Sequence, residues 1–196
     1  MRRSLCSTLQ WRKAMRKPTL LYLATVLVLF GCSTYTPMSS SSVLGGTPVS
    51  DSDIAAIVTT ANQGEIDQAN AALTKASSSA VRDFAQMMIT DHTNALSAAQ
   101  SLFSSRNITP TDNSTSNNLK SGSQQTVSAL NTYSGAAFDR TYMQAQVDAH
   151  QWLLNTMDST LIPSASSSAL RNLLQTQRGT VSAHLDRARQ VLQGLP

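Results

Sequence analysis

Four long stretches of this chain repeat apolar residues every three or four positions, a period that commits each to a helix with one buried face. The first starts at Asp51 or Ser52, either able to cap it, and carries Ile54, Ile57, Val58, Ala61, Glu65, Ala69 and Leu73 in register. The second carries Val81, Phe84, Met88, His92, Ala95, Ala99 and Phe103. A third runs from about Ala136 to Thr160 and should stop at Pro163, whose ring cannot continue a helix. The fourth begins around 166–168 and reaches Leu192, with Leu170, Leu174, Gln177, Val181, His184 and Leu185 on its stripe and Gly194 and Pro196 as terminators. No segment alternates with the period of two that marks a strand or hairpin.

The spacing between these stretches sets the topology. Breaks at 75–79 and 161–166 are short enough to make each flanking pair an antiparallel hairpin. Residues 104–118 are polar, hold Pro110, and lead into a shorter, weaker helix from about Leu119 to Leu130. The expectation is an all-α domain over 51–194, a ferritin-like four-helix bundle whose long crossover carries a short extra helix.

The N-terminus belongs to targeting rather than to the fold. Arg2, Arg3, Arg12, Lys13, Arg16 and Lys17 precede an apolar run from Thr19 to Phe30, too short to span a bilayer and suited to a secretory signal. Leu29-Phe30-Gly31-Cys32 resembles the lipobox of bacterial lipoproteins, in which the cysteine becomes the N-terminus and its thiol is acylated. Residues 1–31 are thus expected to be a signal peptide, Cys32 the lipidated residue, and 32–50 the anchor with a Ser/Thr/Pro/Gly tether. The membrane is the partner this implies, reached through the lipid, and Ser33 in place of an aspartate points to the outer membrane, facing the periplasm.

Removing the signal changes the meaning of the charge. The whole chain has 15 basic and 11 acidic residues, a net of +4. All six basic residues of the signal leave with it, so the remainder is slightly acidic and nucleic-acid binding has no electrostatic support. Cys6 also leaves and Cys32 would carry lipid, so no disulfide can hold the domain and its core must.

Glu65 is the only glutamate in the chain, and His92, His150 and His184 are its only histidines. Each sits on the apolar stripe of a different helix, where ionisable groups are rare unless they are paired or used. The segments around them carry a resemblance. Phe84-Ala85 through Met88 to Asp91-His92, Phe138-Asp139 through Tyr142 to His150, His184-Leu185, and Asn62-Gln63-Gly64-Glu65-Ile66 are together similar to the bacterial family of domain of unknown function 4142. That resemblance implies an exported, ferritin-like protein and brings no reaction with it.

Two uses of the four residues fit the sequence. In one, neutral histidines bond to facing polar groups and fix which helix faces which, in a non-catalytic structural or interaction protein of the envelope. In the other, Glu65, His92 and His150 hold a single transition-metal ion. His184 fits that site less well: it is about 21 residues past the second turn and His150 about 12 before it, a difference in level of roughly 13 Å at 1.5 Å per residue. A redox di-iron centre is excluded for want of bridging carboxylates. Asp91, Asp148 and Asp186 lie one or two residues from a histidine and so point off its face. Met87, Met88, Met143 and Met157 suit a core better than a copper site. No nucleophilic triad, glycine elbow or phosphate loop occurs, so catalytic residues are not assigned. Three histidines in one core also make mild acid a loosening agent.

Overall fold

The computed structural model describes residues 49–196. The signal peptide, Cys32 and most of the tether lie outside the described residues. The rest is helical, with no strand among the described residues. Helix α1 spans Asp51–Lys75 and α2 spans Ser79–Ser105. They are followed by α3, Ser114–Leu130, and α4, Gly135–Thr156. A π turn at Met157–Leu161 then leads through α5, Ile162–Ser164, to the last helix α6, Ser168–Gly194.

The starts of these helices follow from local polar chemistry. Ser50 caps α1 in a reciprocal box: its hydroxyl accepts from the Asp53 N–H at 3.1 Å, and the Asp53 carboxylate accepts from the Ser50 N–H at 3.0 Å. Asn113 makes the same box with Ser116, and so α3 begins five residues before the expected Leu119. Its first turn needed only a cap, which the polar composition of 104–118 concealed. Helix α2 has no side-chain bond from its own N-cap Ser78. Its cap comes from another helix: the buried Asp139 of α4 accepts from the Ser77 N–H at 3.0 Å and the Ser78 N–H at 2.8 Å.

The second hairpin departs from expectation at Pro163. The helical path does not stop there but widens, with the Ile162 N–H bonding to the Met157 carbonyl five residues back. A proline has no N–H and its ring crowds the carbonyl four residues earlier. One extra residue in the turn relieves that crowding and lets the chain run on to Ser164. The connection is therefore Ala165–Ser167, later than the sequence placed it.

Helix α1 packs on α2, α4 on α6, α2 on α6 and α1 on α4, so the four long helices close a ring around one interior. The intervening α3 lies against α1, where Gly64 permits a close approach: a Cβ there would stand 3.0 Å from Ser123 Oγ. The Ser123 hydroxyl donates to the Gly64 carbonyl at 3.1 Å.

The interior is not uniformly apolar. One cluster holds Ile54, Ile57, Phe103, Leu154, Leu161, Leu170 and Leu174; a second holds Phe84, Met88, Leu130, Phe138, Tyr142 and Met143. Each large side chain so buried is worth roughly 1.5–3 kcal/mol. Within the same interior lies a set of buried polar residues: Asn62, Glu65, Gln68, His92, Gln146, His150, Gln177 and His184. That polar set is the unusual feature of the core.

Candidate metal centre

The three histidines come from α2, α4 and α6 and are each at most 4% exposed. Their ring centroids lie 5.1 to 6.0 Å apart, and one ring nitrogen of each lies within 4.8 Å of the others. His184 is a full member of this cluster, where residue spacing alone predicts a level about 13 Å from that of His150. The cause is the later turn: His150 is 15 residues ahead of Ala165 and His184 is 16 past Ser168, so the two stand level.

The outer nitrogen of each imidazole is held by an acceptor, and this fixes the tautomers. His150 Nδ1 bonds to the Gln146 carbonyl at 2.8 Å, and a carbonyl can only accept. His184 Nε2 bonds to the Asp91 carboxylate at 2.9 Å. His92 Nδ1 bonds to Asn62 Oδ1 at 2.9 Å, and Asn62 is itself oriented by donating Nδ2–H to the Val58 carbonyl at 2.8 Å. Each ring therefore carries its proton outward. The remaining nitrogens, His92 Nε2, His150 Nε2 and His184 Nδ1, are buried lone pairs with no partner.

Electrostatics keep the rings neutral. Burial pushes His92 well below its usual 6.5, and the neighbouring His150 and His184 push it further the same way. Burial takes His150 down to about 4, opposed by the Gln146 carbonyl. His184 is also lowered by burial, with the Asp91 bond pulling against it. Glu65 is 8% exposed, and burial pushes its carboxyl up to about 7, opposed by the Gln146 side chain and by His184. Tyr142, fully buried, is raised by burial and by Glu65. Glu65 is thus a neighbour of the cluster but outside the set of atoms that converge within 4.8 Å.

Three neutral imidazoles offering converging lone pairs are a donor set for zinc, copper, iron or nickel. Ligand nitrogens near 2.1 Å from one ion would be at most about 4.2 Å apart, so the rings would draw in slightly around it. The outer acceptors Asn62, Gln146 and Asp91 do what such partners do around metals, fixing ring orientation and the free nitrogen. Beside His92 lies a cavity of about 30 Å³, walled mainly by apolar side chains such as Ile57, Met157 and Leu161, and touched by Asn62 and Asp91.

A family model described as a domain of unknown function, DUF4142, matches residues 37–191. The chain belongs to this family. No curated protein and no solved structure matches it. The segments that carried the DUF4142 resemblance now have physical roles in this chain. Phe84, Met88, Phe138 and Tyr142 fill one apolar cluster, and Asp139 caps α2 from a distance. Asp91, beside His92 in sequence, serves His184 across the helix interface.

Asp91 and Asn62 are partners of the histidines that periodicity along a single helix does not reveal. On its own helix Asp91 points off the face of His92. An acid one residue from a buried histidine can instead meet a histidine on the next helix, and that was the available signal. Met88, Met143 and Met157 are core residues, as expected, and Trp152 is half-buried.

Without a metal, the cluster makes the protein sensitive to acid. The three imidazoles have folded pKa values below 6.5, so the unfolded chain takes up protons first as pH falls. The imidazoles' contribution to stability is whole above pH 6.5 and declines toward the folded values, by up to about 3 kcal/mol for His150 alone. Glu65 acts oppositely: raised from 4.5 to about 7, it favours the folded state more as pH drops through that window. One carboxyl offsets one imidazole and the other two tip the balance, with Asp91 moderating His184. The urea midpoint of chelator-treated protein is expected to be lower at pH 5 than at pH 7.5. Equal midpoints would refute this.

Proposed function

We propose that this DUF4142 protein is an exported, lipid-anchored helical protein of the bacterial envelope whose domain binds one transition-metal ion through His92, His150 and His184. The observation that carries the metal reading is the convergence of three buried, partnerless lone pairs, each ring locked by an acceptor behind it. A purely structural network requires every buried polar member to be satisfied. Here His92 Nε2, His150 Nε2 and His184 Nδ1 have no partner, which favours an ion at the centre over packing alone.

Support for the address is the basic-then-apolar N-terminus ending at Cys32 and the Ser-rich segment after it. A ferritin-like topology is favoured by two short hairpin connections and one long crossover carrying α3. Acylation would place the domain at a membrane surface, with several acyl chains needed for stable anchoring. Labelled fatty acid should enter the wild-type protein in a bacterial host and be absent from Cys32→Ala; equal labelling would end the anchoring reading.

The metal reading is tested by elemental analysis of untagged protein purified without unfolding. About one ion per chain is expected. His92→Ala and His184→Ala should each hold less than about a tenth of that. Metal-free wild-type protein that also fails to take up zinc or copper at neutral pH would return the cluster to a packing role.

A further inference from the structure

We propose that the centre is an open one: the three imidazoles leave a fourth position that faces Glu65, Gln146 and Tyr142 and takes a small oxygen- or nitrogen-donor ligand, water at rest and a monovalent anion such as azide in its place. This rests on the metal reading above and adds to it what the metal does not get from the protein.

Among the His, Cys, Asp and Glu side chains of the described residues, three donor atoms converge within 4.8 Å, whereas Glu65 stands beside the cluster, near enough for His184 to act on it. Along one face of α4, Tyr142, Gln146 and His150 follow at one-turn intervals, each no more than 1% exposed. Glu65 Oε2, Gln146 Oε1 and Tyr142 OH are all buried and partnerless. The Gln146 amide nitrogen donates one hydrogen to Gln68 Oε1 at 3.2 Å and bears on the Glu65 carboxyl with its side chain, while its Oε1 is an acceptor without a partner.

A closed structural site has no use for these groups. Metal-bound water does: it spends a lone pair on the ion and has two O–H bonds to donate, to the carboxylate and the amide oxygen.

Cobalt(II) is the probe, because its visible bands report coordination. Untagged protein should bind one cobalt per chain and show a saturable band shift on azide titration. Glu65→Gln, nearly isosteric, should keep one cobalt and bind azide about tenfold more tightly, since a charge that repels the anion is gone. Failure to bind cobalt at all would overturn the metal reading itself. Cobalt that binds but ignores azide, or that is lost from Glu65→Gln, would overturn the open position alone, with Glu65 then the fourth ligand. Equal azide affinity in both proteins would remove Glu65 from that position.

Discussion

Zinc at a thousandfold excess over its dissociation constant should stabilise the wild-type protein by about 4 kcal/mol and leave His150→Leu unmoved. The first half is linkage: an ion that binds only the folded chain adds its binding free energy to folding. The second half separates a ligand from a packing residue. His150 is buried with Nε2 unpaired, and its Nδ1 bonds a carbonyl of its own helix. Without metal, such a group carries a desolvation cost of about 1–3 kcal/mol that leucine does not. Metal-free His150→Leu should therefore unfold at or above the wild-type midpoint. A variant that unfolds well below the metal-free wild type, with zinc shifting neither, would show that the imidazoles hold the helices together by themselves.

Asp139→Ala should cost about 3 kcal/mol and leave metal stoichiometry unchanged. Asp139 is 2% exposed and accepts from the Ser77 and Ser78 backbone and from the Ser77 hydroxyl. Those N–H groups open α2, which has no cap of its own, and a negative charge there also meets the positive end of the helix. Alanine would leave the partly exposed Ser77 and Ser78 N–H groups without that acceptor and cut the tie between α4 and the start of α2. Asp139→Asn, which keeps one acceptor oxygen, should lose about half as much. Denaturant midpoints check both; a loss under about 1 kcal/mol for Asp139→Ala would mean water replaces the carboxylate there.

The helices themselves were legible because amphipathic periodicity is a local signal. The expected break at 75–79 coincides with the observed α1–α2 connection, whereas the one expected at 161–166 falls later, at 165–167. The departure at Pro163 is also local: a proline ordinarily ends a helix, whereas here a π turn absorbs it. That small extension moved His184 by several residues relative to His150, enough to turn a distant residue into a neighbour. Counting along a helix is accurate only to the accuracy of its turns.

The sequence alone determined that residues 51–194 would be helical without strands, and that Glu65 and the three histidines would lie inward. Periodicity and residue chemistry suffice for those, since each depends on neighbours within a turn or two. Only the tertiary structure decided that the three imidazoles meet, that Asn62, Gln146 and Asp91 stand behind them, and that Glu65 stays just outside. Those facts depend on how separate helices align, and alignment is set by the whole interior rather than by any one segment.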